Sequence, residues 1–323
     1  MSLLSKPITI MGANASGKTA LAVELAKMTD GEVISADSKQ IYKHLSAGTS
    51  KPEGTWETDR DREVYLVDGV PYHLVDITDP KSSFDAGTFA SQAKVMMDFI
   101  SSLGKTPIIA GGTGLYIQAL WNGLDDLPPA DPELRKSFAA FAGEKGKEAL
   151  HAELAALDPD AAARIPPANI QRVMRALEIT KLAGRPVSEL WTGRFMNALP
   201  GHLGKFVFLK WDKELLAERI KTRTVAAFDA WVDETRALLA RGCPEDAPAL
   251  KSLGYPQVMD FIAGRLNRAD AIHSIVAVSM AYAKRQNTWF GRYKNAMVIT
   301  LSRPEDYDPA GLADMIIRAD EDK

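Results

Sequence analysis

The 323-residue chain has a single cysteine, Cys243, so neither a disulfide framework nor a cysteine-built zinc module can be assembled within it. That scarcity fits a reducing compartment, and Cys243 itself is expected to be inert. No apolar run reaches the roughly 18 residues of a membrane span, and the first residues lack a basic segment leading into a long apolar core. A soluble cytoplasmic protein without membrane contact is therefore expected. Charge of one sign is not abundant either. With 39 Lys and Arg against 42 Asp and Glu, the net charge is −3, which argues against a protein that coats nucleic acid uniformly. There is no internal repeat and no low-complexity segment. Two nucleotide signatures are also missing. There is no Asn-Lys-x-Asp guanine-reading motif, and the apolar run Thr106–Ala110 ends in "GGTG" rather than in the Asp that holds Mg²⁺ in many ATPases.

What is present is a chain with 46% apolar residues, enough for one large domain or two modest ones. In the first third, strand-like runs alternate with helical periods. "PITIM" leads through a Gly-rich turn to a helix from about Gly17 to Met28; "EVIS", "YHLVDI" and "TPIIA" are further strands. Phe89, Ala93, Met96, Ile100 and Leu103 recur at helical spacing before a stop at Gly104. This alternation predicts an α/β fold, a parallel sheet core flanked by helices. After Trp121 the character changes. "NGLDDLPPADPE" is a turn-rich break, and the next seventy or so residues read as helices without a strand. One of these helices begins at Asn169, carries Ile170, Val173, Met174 and Leu177 on one stripe, and ends at Gly184 and Pro186. Arg172 and Arg175 are expected one turn apart on its other face. "KFVFLKW" restores a strand, helices return from Lys213 to about Arg292, and "AMVITL" is a late strand. The predicted organisation is a core in residues 1–121, an inserted all-helical subdomain in 122–199, core completion in 200–303 and a solvated acidic tail in 304–323.

Charge is spread unevenly over this plan. From Arg164 to Arg194 there are six Lys or Arg against two Glu. From Tyr282 to Asn295 there are four basic residues and no acid, interleaved with Tyr282, Trp289, Phe290 and Tyr293.

The chemistry-bearing stretch is "GANASGKT", residues Gly12 to Thr19, which fits G-x-x-x-x-G-K-T between a strand and a helix. In such a loop the successive N–H groups of Gly12, Ala13, Asn14, Ala15, Ser16, Gly17 and Lys18 curl toward an anion. The helix N-terminus and the Lys18 ammonium add positive charge, and the Thr19 hydroxyl can hold Mg²⁺. Without the strand-end Asp, the cradle suits a diphosphate that need not belong to a nucleotide. Asp37 follows "EVIS" at the carboxyl end of a strand, the edge where open α/β sheets bind ligands. It is either a local cap or a carboxylate facing the anion at Lys18, as metal ligand or general base. Thr113, after "IIAGG", is expected at the same edge, as a cap or a phosphate contact. Arg219 and Arg223, spaced i, i+4 on a predicted helix, are candidates to close over phosphate. His73 is expected to be structural or supporting. On these residues alone a small-molecule or nucleotide kinase and a nucleic-acid-binding NTPase both stay open, and ATP could enter the same cradle.

Taken in order, "GANASGKT", "ISADSKQIY", "GTSKP", "YHLVDITDP", "IIAGGTGLY", "QRVMRALEI", "LGYPQVM" and "AKRQNTWF" resemble the tRNA dimethylallyltransferase (tRNA isopentenyltransferase) family from about Ile8 to about Phe290. The resemblance implies a P-loop NTPase-like core. It also implies transfer of a dimethylallyl group from dimethylallyl diphosphate to N6 of the adenosine immediately 3′ of the anticodon in tRNA. It makes Asp37 the general base, Lys18, Thr19 and Thr113 contacts to diphosphate or Mg²⁺, and Arg223 the arginine closing on diphosphate. It assigns RNA contacts to Asp37, Ser38, Lys39 and Gln40, to Thr113, to Arg135, and to Gln171, Arg172, Val173, Met174 and Arg175. Further RNA contacts are Lys251, Ser252, Leu253, Gly254, Tyr255 and Pro256, then Ser279, Lys284, Arg285 and Gln286. The partner is an anticodon stem-loop, and the chain is expected to act as a monomer. Two departures stand out: Ala13 and Asn14 replace the family's usual Pro and Thr, and the helix after Arg223 lacks its usual Met and Gly.

Overall fold

Strand β1, Ile8–Gly12, is fully buried and runs directly into the glycine-rich loop and helix α1, Lys18–Thr29. The computed structural model describes residues 6–59, 62–193 and 198–319; Arg194 and residues 320–323 therefore lie outside it. Strands β2 (Gly31–Ser35), β3 (Thr55–Asp59), β4 (Arg62–Val67) and β5 (Val70–His73) follow, then helix α2 (Ala86–Ser102), β6 (Thr106–Gly111) and helix α3 (Gly114–Asn122). After the intervening helices come β7 (Lys205–Trp211), helices α8 (Lys213–Ala240), α9 (Tyr255–Ile262) and α10 (Arg268–Phe290), strand β8 (Met297–Leu301) and helix α11 (Pro309–Arg318). One eight-stranded sheet has the order β3-β4-β5-β2-β6-β1-β7-β8. The strands from β5 to β8 in that order are parallel, while β3 and β4 are antiparallel additions at one edge. The central strands β2, β6 and β1 show no exposed position, as expected of a parallel sheet covered on both faces. The fold is the expected α/β architecture with a mostly parallel sheet.

Contacts divide the chain into two units, Met1–Asn122 with Ala198–Lys323, and Gly123–Asn197. The second is all-helical: α4 (Pro132–Lys145), α5 (Lys147–Leu157), α6 (Pro159–Arg164), α7 (Ile170–Ala183) and a short 3-10 turn, Val187–Leu190. Its core gathers Leu150, Leu154, Ala161, Val173, Leu177 and Val187.

Three expectations need correction. The strand read in "YHLVDI" stops at His73, because Leu74 and Asp76 take φ of 59° and 52°, which no strand permits. The β3–β4 hairpin was not foreseen. The C-terminal segment is not a solvated tail in its described part. Asp308 caps α11, and Ala313 and Ile316 are fully buried in the core that includes Leu21 and Leu25 of α1.

Candidate active site

A cavity of about 970 Å³ opens at the carboxyl ends of the parallel strands, within the range of ligand pockets. The loop Asn14–Thr19, Asp37, Ser38, Lys39, Gln40, Tyr72, Arg219, Arg223, Lys251, Ser252, Leu253 and Tyr282 line it. In the loop, Ala15 and Gly17 take positive φ of 61° and 92°, the alternation that turns consecutive N–H groups to one side. Lys18 Nζ folds back over the loop, donating to Ala13 O at 2.7 Å and to Ser16 Oγ at 3.4 Å. Burial pulls the Lys18 ammonium down from 10.5 to about 8; the Asp37 carboxylate opposes this, and the Arg223 guanidinium adds to it. Arg223 is likewise pushed down by burial, against the field of Asp37. Lys18 and Arg223 thus share the site with the Asp37 carboxylate whose field both feel, and Lys39, Arg219, Lys251 and Glu218 add further charge to its lining.

Asp37 lies two residues beyond β2, held where Ala36 N donates to Ala110 O at 2.8 Å. Its Oδ1 accepts the Lys39 N–H at 2.9 Å, so it forms a local turn and still faces the cavity. Thr113 is placed by its own N–H, which donates to Ala36 O at 3.2 Å. Its carbonyl starts α3, and its hydroxyl accepts the Ser38 N–H at 3.0 Å and donates to Ser38 Oγ at 3.3 Å, so it lies behind Ser38 rather than in the cavity lining. The Tyr282 phenol also bonds Thr113, and burial pushes that phenol up to about 12, so it stays protonated. Tyr72, deeply buried, bonds Thr19 and Ser35.

The two candidate arginines separate. Arg219 Nε donates to Ala15 O at 2.9 Å and its guanidinium lies 4.3 Å from the Trp211 ring centroid. It is occupied by the loop. Arg223, one turn on, is the one whose charge acts on Lys18 and Asp37.

Several expected RNA contacts are instead internal. Gln286 is buried, accepts the Asn14 N–H at 2.8 Å and donates to Gly112 O at 2.8 Å, tying the phosphate loop to "GGTG". A Cβ on Gly112 would lie 2.3 Å from the Gln286 amide, so only glycine admits this bridge. Gln40 holds the loop at Ser50 O, at 3.1 Å. Ser279 is buried, and its carbonyl lies 3.5 Å from Asn14 Nδ2. Tyr255 is core, donating to Glu234 at 2.7 Å, and Glu234 also accepts the N–H groups of Ser46, Ala47 and Gly48. By contrast, Lys251, Pro256, Lys284 and Arg285 are exposed, while Gly254 is buried. In the helical unit Val173 and Met174 are core. The carboxylate of Glu178, fully buried, receives Arg135 at 2.9 and 3.0 Å and Arg175 at 2.5 Å. Gln171 and Arg172 are exposed, so of the two arginines expected on the outer face only Arg172 is fully there, and Arg175 turns to Glu178. His73 pairs with buried Glu32 at 2.7 Å, a structural role, and burial pushes the Cys243 thiol up.

A glycine-rich loop at the carboxyl edge of a parallel sheet, with Asp37, Lys18 and Arg223 around one cavity, is the arrangement of an α/β enzyme whose site suits an anionic ligand. The family described as IPP transferase matches residues 40–293. A tRNA dimethylallyltransferase of Elusimicrobium minutum is 47% identical over 288 residues, spanning 89% of this chain and 92% of that protein. The crystal structure of a tRNA isopentenylpyrophosphate transferase from Bacillus halodurans is 33% identical with a TM-score of 0.66, covering 98% of this chain and 97% of that one. A eukaryotic dimethylallyltransferase acting on tRNA, 23% identical with a TM-score of 0.75, shares the fold across 98% of this chain and 79% of its own. The chain belongs to the IPP transferase family. Among the described residues, no helix is long and apolar enough to cross a membrane.

Proposed function

We propose that the protein transfers a dimethylallyl group from dimethylallyl diphosphate to N6 of the adenosine immediately 3′ of the anticodon in tRNA, releasing diphosphate. The observation that carries this is the confrontation of Asp37 with Lys18 and Arg223 across one cavity, on a phosphate loop whose neighbouring strand end offers Gly111 and Gly112 and no carboxylate. The loop N–H groups, Lys18 and Arg223 bind the diphosphate and take up the charge that grows on it as the allylic C–O bond breaks. The electron pair of that bond leaves with diphosphate. The N6 lone pair forms the new C–N bond, and the nitrogen becomes acidic enough to give a proton to the Asp37 carboxylate. Thr113, whose hydroxyl donates to Ser38 Oγ, turns that proton to the leaving oxygen when the diphosphate is bound. The adenine must leave its stack to reach Asp37.

The donor set suits Mg²⁺ brought in on the diphosphate. Among the described residues no cluster of three His, Cys, Asp or Glu exists to hold a resident metal, and Thr19 offers a single hard hydroxyl oxygen. Mg²⁺ would there neutralise charge on the leaving group. Exposed Lys251, Lys284 and Arg285 in the first unit, and Arg172 in the helical unit, are among the cations exposed for an anticodon stem-loop. The protein works as a cytoplasmic monomer.

The test follows labelled dimethylallyl diphosphate and labelled ATP side by side with unmodified tRNA, and identifies the modified nucleoside by mass. Prenyl label in tRNA without added ATP is expected. ADP formation dependent on a small acceptor, with unlabelled tRNA, would install a kinase instead.

A further inference from the structure

We infer that Tyr307 is a positioning residue for the phosphate loop, and that the segment from Arg303 to Arg318 belongs to the donor site. This rests on the diphosphate reading of the loop. Three consecutive loop carbonyls are each held by a side chain from outside the loop. Ala15 O accepts from Arg219 Nε at 2.9 Å, Ser16 O from Trp211 Nε1 at 2.9 Å, and Gly17 O from the Tyr307 hydroxyl at 2.6 Å. A trans peptide is planar, with its C=O and the next residue's N–H pointing in opposite directions. The Ser16 N–H is taken by Ala13 O at 3.3 Å, so fixing the carbonyls of residues 16 and 17 on one side aims the N–H groups of Gly17 and Lys18 to the other, where the anion must sit.

The three donors also hold one another. The Arg219 guanidinium lies 4.3 Å from the Trp211 ring centroid and 5.2 Å from that of Tyr307, and the two rings are 5.8 Å apart. The Tyr307 ring fills the space beside the loop closely, for a Cβ added to Gly17 would lie 2.3 Å from it. Burial pushes the phenol up to about 12, so it remains a donor at neutral pH. Tyr307 is itself fixed from both sides. Before it, Asp306 accepts the N–H groups of Ser302 and Arg303, each at 2.9 Å. After it, α11 is anchored by buried Ala313 and Ile316. Tyr307 and the segment that carries it are thus part of the folded core, and they lie outside the residues 40–293 matched by the family, which include Trp211 and Arg219. Its purpose on this geometry is preorganisation: N–H groups already aimed need no reordering when the diphosphate arrives.

The variant is Tyr307→Phe in the full chain, which keeps the ring and removes the donor. The probe is inorganic diphosphate, titrated calorimetrically with Mg²⁺ present. Loss of one neutral hydrogen bond predicts a Kd for diphosphate about 3- to 10-fold weaker than wild type. The KM for dimethylallyl diphosphate should rise by the same factor, with kcat at saturating donor and tRNA affinity unchanged and the melting temperature lowered by only about 1–3 °C. Tyr307→Leu, which also frees Arg219, should weaken diphosphate further. Wild-type diphosphate affinity in Tyr307→Phe overturns the inference, and so does a fall in kcat with KM unmoved. Failure of the wild-type protein itself to bind diphosphate overturns the diphosphate reading beneath it, a distinct result.

Discussion

Raising the pH should switch off donor capture by neutralising Lys18. Burial holds this ammonium at about 8 rather than 10.5, with Arg223 adding to the depression and Asp37 opposing it. With that value the protonated fraction falls from about 0.76 at about pH 7.5 to about 0.03 at about pH 9.5, a loss of about 25-fold. At an ordinary lysine value the same interval would cost about 10%. The profile of kcat/KM for dimethylallyl diphosphate reports groups of the free enzyme, so it should carry the full loss. The donor's own phosphates are already ionised there, and tRNA affinity can be measured separately across the same range. At saturating donor, kcat should fall much less, because the bound polyanion returns the charge to Lys18. Lys18→Arg, whose guanidinium stays charged, should lose the descending limb at a lower overall rate. Lys39 lines the same cavity and is also pushed down by burial, so Lys39→Gln is the control that must keep the limb. A profile flat to about pH 9.5, or a limb unchanged in Lys18→Arg, would refute the reasoning.

Asp37→Ala should lower turnover by about 10² to 10⁴, as for loss of a general base, with tRNA affinity measured by filter binding nearly unchanged. In the helical unit, Arg172→Ala should reduce the slope of log affinity for tRNA against log salt by about 1, whereas Arg175→Ala should leave the slope alone. Arg175→Ala should instead destabilise by about 1–3 kcal/mol in denaturant unfolding, because Glu178 is then buried one donor short. Burial pushes the Glu32 carboxyl up, but His73 and Lys105 outweigh it and hold the group at about 2 against an ordinary 4.5. A depressed carboxyl stabilises above its unfolded value, so this contribution should be lost as pH falls through that interval. Glu32→Gln should flatten stability against pH there, measured by unfolding midpoints.

The first third of the fold was legible because buried parallel strands and one-faced helices leave plain periods in the sequence. "PITIM", "EVIS" and "TPIIA" became β1, β2 and β6 within a residue or two. The β3–β4 hairpin left no such period: its strand Arg62–Val67 is exposed at its first two positions and does not alternate cleanly. Helix α11 was hidden by composition. Acidic residues around it suggested a solvated tail, although Asp308 and Pro309 form a helix start, and Leu312, Ala313, Ile316 and Ile317 recur at helical spacing. The phosphate loop, Asp37 and Thr113 were legible as positions at strand ends. What Arg219 contacts was not, since it packs on the rings of Trp211 and Tyr307, which are distant in sequence from the loop they hold.

The residues of the recurrent motifs therefore fall into two physical groups. Gln286, Gln40, Tyr255 and Glu178 spend their polar atoms on partners within the protein, Glu178 on the exposed Arg135 and the half-buried Arg175. Asp37 and Lys39 face the cavity with Arg223, while Arg172, Lys251, Lys284 and Arg285 are exposed. A buried polar group left without its partner costs more than an exposed contact gains, so changes in the first group should be read in stability and changes in the second in binding. Gln286 shows how the two connect. Its amide accepts from the phosphate loop and donates to "GGTG", so the strand end that carries Thr113 and the loop that carries Lys18 are set at a fixed distance by one buried side chain. Replacing it would leave every group that touches substrate in place chemically, yet detach the diphosphate cradle from the edge that holds Thr113.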